Sequence, residues 1–119
     1  MTDKELEKFV RSDNPWERAR AAINGYGLDI LVHDKAPMVR VEVARQGYRP
    51  DILVHDNYYL VRRGVAESGN CLDILINDED ADVRCAVART GYKTWELLRD
   101  YDSEVRLIAL DILLEKGEI

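Results

Sequence analysis

A period of 22 residues that never slips constrains this chain more than any other feature. Aspartate stands at Asp34, Asp56, Asp78 and Asp100, arginine at Arg18, Arg40, Arg62, Arg84 and Arg106, and glycine at Gly25, Gly47, Gly69 and Gly91. Self-similarity at a fixed spacing of this size marks a stack of short units, each burying its apolar face against its neighbours. Within the period the apolar residues follow helical spacing and a glycine closes each unit. Helices are therefore expected, and no strand signal competes.

Each unit has a longer and a shorter part. The longer part opens at Asn14-Pro15, Ala36-Pro37, Asp80-Ala81 and Asp102-Ser103, where a capping side chain or a proline at the first helical position starts a helix. It runs about ten residues to the recurring glycine, which suits the left-handed position just past a helix end. Its inward stripe pairs Val39 with Val43, Val61 with Val65, Val83 with Val87, and Val105 with Ala109, while Ala22, Ala44, Ala66 and Ala88 let the next element approach closely. The shorter part (28–33, 50–55, 72–77, 94–99) carries a core row of Leu31, Leu53, Leu75 and Leu97, with Phe9 in phase before it. Five or six residues leave α and 3₁₀ geometry both open. At the start, Thr2 and Glu5 form a capping box for a helix over 3–11. After Arg106 the glycine gives way to Leu113, which predicts a last helix running to about Glu115.

The expected architecture is an all-α, right-handed α-solenoid of about five two-helix repeats in a single domain, residues 1–119. It comprises an N-terminal cap at 1–12, repeats at 13–34, 35–56, 57–78 and 79–100, and a C-terminal cap at 101–119. The pattern D-x(5)-R between a short and a longer helix resembles HEAT-type repeats. The full unit, L-x-x-L-x-x-D-x-x-x-x-V-R-x-x-V-A-x-x-G, is similar to the short helical repeats of leucine-rich variant proteins, in which an α-helix alternates with a 3₁₀ helix. The resemblance covers nearly the whole chain. It implies the same fold, and for function either a scaffold or an enzyme, since both families host both. The N-terminal cysteine cluster that accompanies such repeats in an iron-sulfur member is missing, and no cofactor is expected.

Net charge is −6. Residues 1–60 hold 9 basic and 10 acidic side chains and residues 61–119 hold 8 and 13, so the excess of acid lies toward the C-terminus. Such a chain repels phosphate backbones at long range unless its cations gather on one face. Nucleic acid is a poor expectation, open only if Arg11, His33, His55 and Arg99, with Arg49 and Lys93, line one cleft. No apolar run approaches the roughly 20 residues of a membrane span, the N-terminus lacks the order of a signal peptide, and the expected location is the cytoplasm. Cys71 and Cys85 fall at different phases, one in a loop and one on a helix surface, with no CxxC spacing.

The registered charges read as structure. Asp34, Asp56, Asp78 and Asp100 with Arg40, Arg62, Arg84 and Arg106 are expected to form a ladder of charge-assisted bonds between units, because the planar guanidinium bonds two acceptors at once and stays charged when half-buried. His33 and His55 share one row on the short helices, but no third ligand completes a metal site. Asp78, Glu79, Asp80 and Asp82, echoed by Asp100, Asp102 and Glu104, open like a calcium loop, yet Val83 and Arg89 stand where glycine and glutamate are needed. Catalysis finds no histidine spaced for Ser12, Ser68 or Ser103 and no glycine-rich phosphate loop. The expected non-enzymatic role is protein interaction. It would use apolar residues opposite the valine stripe (Trp16, Ile23, Met38, Val41 and Leu60), the adjoining Tyr58 and Tyr59, and the acidic turns, which suit a partner with a basic surface. A homodimer formed through the same N-terminal patch is the second expectation.

Overall fold

The computed structural model describes residues 1–119. It contains ten helices and no strand: α1 (Asp3–Val10), α2 (Pro15–Ile23), α3 (Leu28–Leu31), α4 (Pro37–Arg45), α5 (Pro50–Leu53), α6 (Tyr59–Glu67), α7 (Leu72–Leu75), α8 (Ala81–Arg89), α9 (Thr94–Leu97) and α10 (Ser103–Glu115). The long helices begin at residues 15, 37, 59, 81 and 103, and the short ones at 28, 50, 72 and 94, so both series advance by 22. Long helices α2, α4, α6, α8 and α10 pack each on the next; α3, α5 and α7 each sit against the long helices on either side of them in the chain, and α9 packs chiefly on α10. The molecule measures 52 × 27 × 20 Å, and its radius of gyration of 16.2 Å exceeds the roughly 13.5 Å of a compact chain this long.

Burial follows the predicted stripes. The paired valines from Val39 to Val105, with Ala109, are fully buried, and so are Leu31, Leu53 and Leu75, with Leu97 buried beside them. Phe9 departs from this row: it is half-buried, and Val10, one residue on, enters the core instead. The short helices are α-helical, which resolves the geometry left open above. Each long helix stops at its glycine with a positive φ. At Gly25 the two reverse bonds of a Schellman motif close the end, Tyr26 N–H to Ala21 O and Gly25 N–H to Ala22 O. Cys85 is buried in the interface of α8 rather than on its surface, because α10 covers that face.

Entry into each short helix also needs a left-handed residue. Gly27 supplies it once, but Arg49, Cys71 and Lys93 take the same position with φ of 44°, 54° and 45°. An L-residue there costs about 1–2 kcal/mol. Gly27 has a second constraint, since a Cβ on it would lie 2.5 Å from Val10 Cγ2. Gly27→Ala is expected to lower the unfolding free energy by about 2–3 kcal/mol, against about 1–2 for Gly69→Ala, which has open space around it. Urea denaturation of the two variants checks the difference.

Candidate interaction groove and its charged scaffold

The ladder holds the long helices at fixed spacing. Arg18, Arg40, Arg62 and Arg84 each grip the aspartate sixteen residues on through Nε at 2.8–2.9 Å and through NH2 at 3.2 Å. The NH1 of each donates back to a backbone carbonyl six residues earlier, at 2.7–2.9 Å. For Arg40, Arg62 and Arg84 that carbonyl belongs to the preceding ladder aspartate, so one guanidinium ties the turn before its own long helix to the turn before the next long helix. Each aspartate also accepts at 2.9 Å from the backbone N–H two residues on, at Ala36, Tyr58, Asp80 and Asp102, fixing the entry to the next long helix. The bond to its carboxylate is the main cause raising the pKa of each of Arg18, Arg62 and Arg84 above the ordinary arginine value, partly offset by burial. Since the folded value is the raised one, this stabilisation is fully present wherever the unfolded arginine is charged and is lost only in strong alkali, as pH rises through the folded value. Arg106 differs from the rung expected of it. Its NH1 bonds Asp100 O at 2.7 Å, but no carboxylate stands opposite and the side chain is exposed.

On this scaffold three successive long helices open one groove of about 1010 Å³. Trp16, Ile23, Met38, Val41, Tyr58 and Leu60 line it, together with Ala19, Ala36 and Pro37. Trp16 and Ile23 are 73% and 54% exposed, whereas Val41 is 9% exposed and forms the floor rather than an outward anchor. The floor lies low because α6 carries Gly64 against α4. A Cβ there would meet Ala44 Cβ at 3.0 Å and Val41 O at 3.2 Å, so only a hydrogen lets the helices approach this closely. Tyr59 stands outside the groove and meets Tyr58 edge-on at 5.7 Å. Sequence reasoning missed the polar rim of Arg20, Asn24 and Glu42. Counting outward phases by residue type left out these polar neighbours.

One and two units further along, the same phases turn charged. Leu60 is followed by Asp82 and Glu104, and Val41 by Arg63. Arg63 and Arg89 face Glu67 across a second, polar concavity. The acidic turns divide by role. Asp78 and Asp100 are spent in the ladder with side chains 7% exposed, which removes them from a surface patch. Asp80 and Asp102 cap α8 and α10 by accepting from Asp82 N–H and Glu104 N–H. Glu79, Asp82 and Glu104 are exposed and face solvent.

The sulfur of Cys85 and carboxylate oxygens of Asp102 and Glu104 lie within 4.8 Å of one another. Burial, aided by the charge of Glu104, pushes the Cys85 thiol up, so the sulfur is held as a protonated, weak ligand. Burial raises Cys71 likewise, and neither thiol is activated as a nucleophile. His33, His55, Arg11 and Arg99 are all exposed, but no concavity gathers them. Arg49 is paired to Asp51 at 2.9 Å and Lys93 lies over the Tyr92 ring. The conditional basic cleft is therefore not formed. No helix is long and apolar enough to cross a membrane. No family model, curated protein or solved structure matches this chain.

Proposed function

We propose that this protein is a non-enzymatic interaction module, a short right-handed α-solenoid of HEAT-like or leucine-rich-variant type with about five units. In this reading the groove across α2, α4 and α6 takes a segment of a protein partner. The observation that carries it is the convergence of Trp16, Ile23, Met38, Tyr58 and Leu60, drawn from three units, on one open apolar groove. Contiguous exposed apolar area of this kind marks interaction sites, and tryptophan, tyrosine and methionine are favoured at them. The carboxylates of Asp82 and Glu104 continue the same rows and set the sign of the partner's flank. Apolar anchors supply the affinity, and the acidic end steers basic groups and makes association salt-dependent.

Selection from a random peptide library on the immobilised protein tests this. Selected peptides are expected to pair apolar residues with lysine or arginine, to weaken with salt, and to lose about tenfold or more in affinity on Trp16→Ala/Ile23→Ser. Both residues are exposed, so the variant keeps its core. Binders indifferent to this variant, or of acidic composition, contradict the reading.

A further inference from the structure

Helix α10 leaves an apolar stripe uncovered. In the interior units the positions equivalent to Leu107 and Leu110 are covered by the next long helix: Val41 and Cys85 are buried at the first, and Ala44, Ala66 and Ala88 at the second. Only Arg63 is partly open there. On α10 the same face meets solvent. Leu107 and Leu114 are 58% and 52% exposed, with Leu110 half-buried between them. Their spacing of i, i+3 and i+7 makes one stripe down the helix. The opposite end of the stack is different, since α1 turns Asp3, Lys4, Glu7 and Lys8 to solvent. The outward face of α1 is thus polar, whereas that of α10 carries an uncovered apolar stripe.

What covers the stripe is indicated by its bulk and its flanks. Leu110 replaces the alanines that let the next helix come close, so another unit of the same pattern does not seat against it. A helix presenting a like stripe at about 8–10 Å does. Arg106 and Asp111 flank the stripe on its two sides, and Arg106 is the one ladder arginine without a carboxylate. With Leu107 and Leu114 at a and Leu110 at d, Arg106 is a g position and Asp111 the e position five residues on. In a parallel two-stranded seam these reach one another across the pair. An antiparallel seam would instead oppose the acidic flank of Glu104, Asp111 and Glu115 to itself.

We infer that two copies of this chain associate in parallel through α10, with Leu107, Leu110 and Leu114 in the seam and Arg106 against Asp111 of the second copy. The two-fold axis then runs along α10. The stacks lead away in opposite directions, and both Trp16 grooves remain open at the far ends. This dimer is distinct from one formed through the N-terminal patch and does not depend on what the groove binds.

Sedimentation velocity of the full chain over a micromolar-to-submillimolar series tests it. The wild type is expected to dimerise and Leu107→Glu/Leu114→Glu to be monomeric with unchanged helix content, both sites being exposed. Trp16→Ala/Ile23→Ser is expected to stay dimeric. In a Cys71→Ser background, Leu107→Cys and Leu114→Cys are each expected to form self-linked disulfide dimers under mild oxidation, because a positions face their own counterparts in a parallel seam. A monomeric wild type, a dimer indifferent to the glutamates, loss of the dimer in the Trp16 variant, or linkage only between Leu107→Cys and Leu114→Cys would overturn the proposal.

Discussion

Arg84→Ala is expected to lower the unfolding free energy by about 3–5 kcal/mol, while Arg106→Ala lowers it by less than about 1 kcal/mol. The two arginines share a phase and differ in what they hold. Arg84 is 4% exposed, bonds both oxygens of Asp100 at 2.9 and 3.2 Å, donates to Asp78 O at 2.7 Å, and lies 4.6 Å from the centre of the Tyr101 ring. Its removal leaves the buried Asp100 carboxylate with a single remaining donor, the Asp102 N–H. A carboxylate stranded out of water costs more than the pair contributed, and the cost is therefore that of the stranding. Arg106 strands only one carbonyl near solvent. Arg84→Lys should recover little, since one ammonium cannot reach two carboxylate oxygens and a carbonyl in the same plane. Urea denaturation followed by circular dichroism reads all three, and equal losses at positions 84 and 106 would show that the ladder is incidental to stability.

Leu75→Ala is expected to cost about 3–4 kcal/mol, and Ile74→Ala under about 1 kcal/mol. Helix α7 is four residues long and begins at Cys71 in the left-handed region, so it has no stability of its own. What seats it is one side chain. Leu75 is 1% exposed and sits between the layers, whereas the adjacent Ile74 is 49% exposed on the outer side. Truncation at Leu75 removes buried methyl groups and leaves a void that the ladder-fixed spacing of α6 and α8 prevents from closing. The same assay measures both, and similar losses at the two sites would mean that the short helices are not anchored by their leucines.

Most of the architecture was legible because a repeat shows its geometry several times over. The i, i+4 valines, the closing glycines and the Asp–Arg register each recur, so chance agreement was excluded by repetition. What stayed illegible were departures from the period. Nothing in the residue types of Arg49, Cys71 or Lys93 signals a left-handed backbone; that strain is imposed by the packed layers on both sides. Arg106 has the ladder's identity, yet its guanidinium bonds only the Asp100 carbonyl. The groove was half-visible. Its outward apolar residues could be counted off the period, but Val41 became a floor because Gly64 draws α6 in, which a single glycine in a helix does not announce. The acidic turns looked alike in sequence, and only hydrogen bonding separated ladder, cap and free carboxylates.

The central claim, that the apolar groove is the working surface, can be read from two indole N–H signals. Trp16 lies in the groove on α2, and Trp95 lies outside it on α9. In a ¹⁵N-correlated spectrum titrated with a selected apolar-basic peptide, the Trp16 signal is expected to shift and saturate while the Trp95 signal stays in place. A saturating shift at Trp95 with Trp16 unmoved would contradict the account.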